Sequence, residues 1–134
     1  MKSPSEKSEH LLLFRGTGWH NGLSPDEIQR TMTDWMAWFD RLVADGRCLG
    51  GQSLATEGKV VTGKSLHVSD GPFAESKETV AGYFILSVAD LDEALEIAKQ
   101  CPALAYGMTV EARPLLARCA ASQRVLDQLA QTTN

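Results

Sequence analysis

The sequence TVAGYFILSV, at residues 79–88, predicts a β-strand that is apolar on both of its faces. Because side chains alternate along a strand, Val80 and every second residue up to Val88 share one face. Ala81, Tyr83 and Ile85 share the other face. An apolar face must be removed from water, so both sides of this strand are expected to be covered by other parts of the fold.

A strong helix signal precedes this strand in the chain. Ser24 can act as the N-cap, Pro25 stands at the first helical position, and Glu27 completes a capping box. Gly46 is expected to end the helix. The predicted buried stripe of this helix, with spacings of three and four residues, consists of Ile28, Met32, Trp35, Phe39 and Leu42, and it is widened by Met36 and Val43.

Alternating residues and turn signals predict the other elements. Residues 10–15 and 108–115 are expected to be the first and last strands, and residues 48–54 are expected to pair with residues 59–69 in an irregular hairpin. Asp90 is expected to cap a second helix, and residues 116–130 predict a weaker third helix. The predicted buried stripe of the second helix consists of Leu91, Ala94, Leu95, Ala98 and Cys101.

The order of these elements predicts an α+β fold. The sequence β-α-β-β-α-β is typical of the ferredoxin-like arrangement, in which two helices cover one face of an antiparallel sheet, and here a C-terminal helix follows. The other face of the strand at residues 79–88 then needs a cover, which is either a second subunit or the third helix. We expect a second subunit, and therefore a homodimer.

Length and charge limit the classes of function. A chain of 134 residues fits a single domain, here residues 10–134 with a core at 10–115, after a polar arm at residues 1–9 that is expected to be disordered. The net charge of −4 and the scattered basic residues do not favour nucleic-acid binding. The apolar stretches are too short to cross a membrane, and no export signal is visible, so a cytoplasmic protein is expected.

No pattern for a metal or a cofactor is found in the sequence. The three cysteines, Cys48, Cys101 and Cys119, are far apart and lack zinc-ligand spacing, so we expect reduced, buried or half-buried thiols. The run from Gly16 to Gly22 lacks the spacing of a phosphate-binding loop. We therefore expect neither a metal nor a cofactor.

The tetrapeptide DGPF, at residues 70–73, resembles the signature of the YCII-related proteins of the DGPF type. The resemblance covers about residues 10–115 in order, which makes it more specific than a turn motif alone. The other matching residues are Gly50-Gly51, Ala74-Glu75, Lys77-Glu78, Gly82-Tyr83, Glu93-Ala94, Cys101-Pro102 and Glu111-Ala112-Arg113-Pro114.

This resemblance implies a dimeric α+β barrel, in which two ferredoxin-like sheets pack face to face. It also implies a bacterial family, some of whose members are encoded beside extracytoplasmic-function sigma factors. More distant relatives are metal-independent isomerases, dehydrochlorinases and monooxygenases. The helix position that holds a histidine in YCII proteins aligns with Trp35 here, so their His/Asp pair cannot be carried over. The sequence leaves open whether this chain is an enzyme.

Asp70 and His67 are the candidate catalytic residues. Asp70 could accept a proton from a substrate beside a cavity, or it could bond backbone N–H groups of its own turn. His67 could pair with Asp70 if the hairpin bends between them, or it could be an ordinary strand residue.

Arg15, Glu111 and Arg113 are candidate ligand-binding residues on neighbouring strands. They could form a charged pocket wall that holds a carboxylate, or an ion-pair network at the rim of the sheet. Tyr83 is expected on the face of the barrel interior, where its hydroxyl needs a ligand or a hydrogen-bond partner at the dimer interface. Trp38 lies off the predicted helix stripe and is expected at the edge of a pocket.

These residues support two functional hypotheses. The first is a homodimer that binds an unknown small molecule and acts as a cofactor-free acid–base lyase or isomerase. The second is a non-catalytic accessory or sensor protein linked to an extracytoplasmic-function sigma factor. A third interpretation fills the cavity with side chains and leaves only a structural dimer.

Overall fold

A computed structural model describes residues 6–71, 79–116 and 119–132 of the chain. Four strands form an antiparallel sheet: β1 (Ser8–Arg15), β2 (Cys48–Ser53), β5 (Val80–Val88) and β6 (Thr109–Pro114). A separate two-stranded sheet consists of β3 (Lys59–Thr62) and β4 (His67–Asp70). The helices are α1 (Pro25–Ala44), α2 (Leu91–Ala98) and α3 (Ala120–Thr132), and a 3-10 turn covers Pro102–Tyr106.

The strand order of the main sheet is β2-β5-β1-β6, with β5 and β1 in the centre. An α+β fold with an antiparallel sheet is therefore confirmed, and the order is compatible with the ferredoxin-like arrangement. The predicted hairpin was wrong in its pairing. Strand β2 pairs with β5, while residues 59–70 form their own hairpin, with Val61 opposite Val68.

Capping residues determine where helices α1 and α2 begin. The backbone N–H of Glu27 donates to the Ser24 hydroxyl at 3.2 Å, and the Ser24 N–H donates to the Glu27 carboxylate at 3.1 Å. These two bonds confirm the predicted capping box. Hydrogen bonds from the backbone and the side chain of Ser24 to the carboxylate hold the pKa of Glu27 below its ordinary value. Asp90 caps α2 in the same way, accepting a bond of 2.9 Å from the N–H of Glu93.

The core lies between the helices and one face of the main sheet. Its largest fully buried side chains are Trp38, Phe14, Leu12, Leu86, Ile97 and Val88. The predicted roles of the two helix tryptophans are reversed, because Trp38 is buried whereas Trp35 is half-buried. In α2 the buried residues are Ala94, Ile97 and Ala98, whereas Leu91 and Leu95 are exposed, so the predicted stripe was rotated around the helix.

The sheet has a second face, here called the open face, that points away from α1 and α2. Register places Leu11 opposite Ile85 and Leu13 opposite Tyr83 at its centre, and all four side chains are half-buried. Helix α3 makes no extensive contact with the other elements that the structure describes, and its Val125 and the nearby leucines are exposed. Strand β5 therefore presents one buried face to the helices and one half-buried face on the open side of the sheet, and the cover expected for that open face stays a prediction.

Three smaller predictions can also be compared with the structure. Strand β1 begins at Ser8, inside the arm that was expected to be disordered up to residue 9. Cys48 and Cys101 are buried free thiols, as expected, whereas Cys119 is exposed. Among the residues described, no helix is both long enough and apolar enough to cross a bilayer.

Candidate functional site

A cavity of about 260 Å³ lies where α1 passes over the β2–β5 edge of the sheet. Helix α1 contributes an aromatic and methionine wall, and the strands contribute glycines and small polar residues. The cavity, called the α1 cavity below, is lined by Phe14, Trp19, Met32, Trp35, Met36, Phe39, Gly51, Gln52, Ser53, Ala81, Gly82, Tyr83, Phe84 and Met108.

Two glycines allow β2 and β5 to approach each other under this cavity. A Cβ atom on Gly51 would stand 2.4 Å from the Tyr83 carbonyl oxygen and 2.7 Å from Cδ1 of Phe84. A Cβ atom on Gly82 would stand 2.7 Å from the carbonyl oxygen of Gln52. Because the blocking oxygens belong to the backbone, side-chain rotation could not relieve these contacts, and glycine is required at both positions.

The aromatic wall is held in place by ring contacts. The Trp35 ring centroid lies 4.8 Å from that of Phe14, 5.8 Å from that of Trp38 and 6.4 Å from that of Phe84. All three contacts are edge-type. Phe39 adds a further contact with Phe84, at 5.0 Å. Such contacts stabilise this arrangement of the rings, which favours a preorganised wall.

The mouth of the α1 cavity carries flexible apolar side chains. Met32 is 42% exposed and Met36 is 52% exposed, although both belong to the apolar stripe of α1. On the opposite side, the Trp19 ring stacks on Tyr106 with centroids 6.4 Å apart. Unbranched thioether side chains adapt to different shapes, which suits the entrance of a binding site.

The lining is almost free of polar side chains. It contains no Asp, Glu, Lys, Arg or His among the described residues, and its polar members are Gln52, Ser53 and Tyr83. Register pairs Gln52 with Tyr83 and Ser53 with Gly82. By strand alternation, Ser53 directs its hydroxyl to the helix side, whereas Gln52 and Tyr83 direct their side chains to the open face.

Three predicted ligand-binding residues meet along the β6 edge of the open face, where register places Glu111 opposite Leu13 and Arg113 opposite Leu11. The Arg15 guanidinium forms an ion pair with the Glu111 carboxylate, whose other oxygen lies 3.6 Å from Nε of Arg113. Arg15 and Glu111 are about two-thirds or more shielded, with exposures of 28% and 29%, while Arg113 is 67% exposed. These three residues are therefore brought together, outside the lining of the α1 cavity.

Tyr83 lies on the open face of the sheet, whereas Trp38 lies in the core. Tyr83 lies at the centre of the open face, beside Leu13. The residue is also part of the lining of the α1 cavity, which lies on the helix side of the sheet. Trp38 is 1% exposed, and its indole N–H donates to the Gln100 side-chain oxygen at 3.0 Å. The expectation that Trp38 would edge a pocket was wrong, and Trp35 takes that position.

The two candidate catalytic residues lie on the β3–β4 hairpin, which is exposed throughout. Asp70 forms an ion pair with Lys59, with side-chain exposures of 87% and 70%. His67 stands at the other end of β4, opposite Thr62, and alternation directs His67 and Asp70 to opposite faces. The structure therefore does not bring them together as a pair. Pro72 and Phe73 of the DGPF turn lie outside the described residues.

The three cysteines differ in the reactivity of their thiols. Burial raises the pKa of Cys101 to about 11 and also raises the pKa of Cys48, so both are poor nucleophiles. Hydrogen bonds from Ser122 lower the pKa of the exposed Cys119. Within residues 6–71, 79–116 and 119–132, no group of three or more His, Cys, Asp or Glu side chains could hold a metal ion.

Sequence patterns did not predict the α1 cavity. Of its lining, only Tyr83 was proposed as a ligand contact, while Trp35 was assigned to the core. A signal was available in Met32 and Met36, since two methionines on a single apolar stripe are typical of adaptable binding surfaces.

Comparison with known proteins gives a family and one relative. The model of the YCII-related domain matches residues 9–117. An uncharacterised protein of Rhizobium meliloti (strain 1021) is 53% identical over 32 residues, a segment that makes up 24% of this chain and 26% of the relative. The match therefore spans only about a quarter of the relative's length.

Proposed function

Since the chain belongs to the family of YCII-related domains, we propose that it is a homodimer that binds a small organic molecule in the α1 cavity. The single observation that carries the binding proposal is the combination of a preorganised aromatic wall and exposed methionines around a cavity of about 260 Å³. Ligand sites are typically concave, mostly apolar and furnished with few polar groups, which is the composition found here.

The homodimer is supported by the open face. Leu11, Leu13 and Ile85 lie side by side with Tyr83 at the centre of a sheet whose other face is already covered by helices. Burial of a fully exposed side chain of this kind stabilises by about 1.5–3 kcal/mol, and these half-buried side chains would gain part of that, so the face favours a protein partner. A second copy would present the same apolar centre and the same rim charges, as a two-fold interface requires.

A cofactor-free acid–base lyase or isomerase is the narrower form of this proposal. In that form Asp70, with His67, would transfer a proton, while Arg15, Glu111, Arg113, Tyr83 and Trp38 would hold the ligand. The exposed hairpin and the buried Trp38 give it little support within one chain. Binding without turnover is the form that the geometry supports best, and it also suits an accessory or sensor role in the cytoplasm.

Blocking the α1 cavity tests the binding proposal. We would screen neutral and charged aromatic and aliphatic fragments by ligand-observed NMR against the wild type and the variant Ser53→Trp. Ser53 lies at the exposed end of β2 and lines the cavity, so an indole there is expected to fill the mouth and abolish binding. Thr62→Trp is the matched control, because Thr62 is an exposed strand residue outside the lining.

The proposal predicts fragments that bind the wild type and Thr62→Trp but not Ser53→Trp. Fragments that bind all three proteins equally would place the site elsewhere. A complete lack of binders to a folded wild type would refute small-molecule binding in this cavity. Turnover of a bound fragment that depends on Asp70 would restore the lyase or isomerase hypothesis.

A further inference from the structure

We infer that the ligand of the α1 cavity is an uncharged aromatic molecule of one or two rings. This inference rests on the proposed binding function and adds the chemical class of the ligand. It departs from the carboxylate ligand that Arg15 and Arg113 suggested, because those cations lie outside the cavity lining and face Glu111.

The lack of charge in the lining disfavours a ligand whose ionised group lies inside the cavity. A carboxylate or ammonium group inside the cavity would lose its water and would find no opposite charge among the described lining residues. Moving an ion into such surroundings is strongly unfavourable unless it is paired. The Ser53 hydroxyl and backbone groups of the edge strand β2 can still bond a neutral hydroxyl or carbonyl group.

The aromatic rings and the methionine sulfur atoms of the cavity wall favour an aromatic ligand over an alkyl chain. Trp35 and Phe39 offer aromatic surface, and Met32 and Met36 supply sulfur atoms that make favourable contacts with rings. The three described ring contacts of Trp35 are edge-type, and none of them is a parallel stack.

The volume sets the size of the ligand. A cavity of about 260 Å³ is just below the range of about 300–1,000 Å³ that is usual for sites of drug-sized molecules. One or two fused rings therefore fit, and a larger polycyclic molecule would have to extend past Met32 and Met36 into solvent.

Calorimetric titration with three probes tests this inference. The probes are 2-naphthol, which is neutral at neutral pH, 2-naphthoate, which carries a similar ring system with a charge, and 1-decanol, which is neutral but has no ring. We expect 2-naphthol to bind and 2-naphthoate to bind at least about tenfold more weakly, because its charge would be buried unpaired. The ring contacts predict that 1-decanol also binds more weakly than 2-naphthol.

A charge-reversal variant gives an independent readout. Met36→Arg places a guanidinium at the exposed mouth, where it can pair with a carboxylate, so the preference is expected to shift toward 2-naphthoate by about tenfold or more. Val43→Arg is the matched control, since Val43 is a 44% exposed residue of α1 outside the lining. That control is expected to keep the wild-type preference.

The outcomes separate this inference from the proposed function. Equal or tighter binding of 2-naphthoate or 1-decanol to the wild type would overturn the uncharged aromatic ligand and leave small-molecule binding intact. An unchanged preference in Met36→Arg would overturn the location of the ring in the α1 cavity. If no probe binds the folded wild type, the uncharged aromatic ligand is overturned, and the fragment screen alone decides whether the proposed binding function fails as well.

Discussion

Replacing Gly51 by alanine is expected to destabilise the protein strongly, although only one methyl group is added. The new Cβ atom would stand 2.4 Å from the Tyr83 carbonyl oxygen and 3.1 Å from Cα of Phe84, so backbone has to move. Overpacking of this kind typically costs about 1–3 kcal/mol, and we expect about 3 kcal/mol because the nearest atom cannot rotate away. Native domains are stable by only about 5–15 kcal/mol, so the loss would be large.

A second glycine variant separates crowding from backbone conformation. Gly46 has φ of +73°, and nothing lies within 4 Å of a Cβ atom there. Gly46→Ala is therefore expected to cost only about 1 kcal/mol, from the unfavourable left-handed conformation. Urea unfolding followed by circular dichroism gives both free energies of unfolding on the same scale. A Gly51→Ala protein no less stable than Gly46→Ala would refute the close approach of β2 and β5.

Three further variants or reactions probe other parts of the structure. Ser24→Ala should lower the free energy of unfolding by about 1 kcal/mol in urea titration, because the capping box is lost, and no change would mean that α1 does not begin there. Trp38→Phe should cost about 1–3 kcal/mol in the same assay, since it leaves a void and removes the hydrogen bond to Gln100, and a neutral effect would contradict the core position. Iodoacetamide should label Cys119 first, at a lower pH than an ordinary thiol requires, and leave Cys101 unlabelled in native protein. Mass spectrometry of the labelled peptides gives the order of labelling, and labelling of Cys101 before Cys119 would contradict this prediction.

Local signals predicted much of the fold. The capping box at Ser24 and the cap at Asp90 act within a few residues, and both helices begin where they were expected. The alternation in β5 also predicted which residues share a face. Such patterns depend on short-range geometry, which the sequence carries directly.

Long-range pairing and helix rotation could not be predicted in the same way. Residues 48–54 and 59–69 were paired because they are neighbours in the chain, but β2 pairs with β5 across the hairpin insertion. On α1, the apolar stripe is wider than the surface that the sheet covers. Trp38 and Leu42 are buried against the sheet. Met32 and Met36 lie on the part of the stripe that the sheet does not cover, and they line the cavity.

The candidate site was predicted least well for a related physical reason. Charged residues are conspicuous in a sequence, so Asp70, His67, Arg15 and Arg113 were selected as candidates. The cavity depends instead on space left between packed surfaces, which no spacing of residues encodes. These charged side chains form ion pairs away from the cavity. Arg15 pairs with Glu111 at the edge of the sheet, and Lys59 pairs with Asp70 on the hairpin.

The claim that the open face of β5 and β1 meets the same face of a second copy is tested most directly by light scattering of the purified protein at micromolar concentration. We predict a particle of twice the 14.6 kDa chain mass, and a shift to the single-chain mass for a folded Leu13→Glu variant, which places a charge at the centre of that face. A folded wild-type particle of 14.6 kDa would contradict the homodimer.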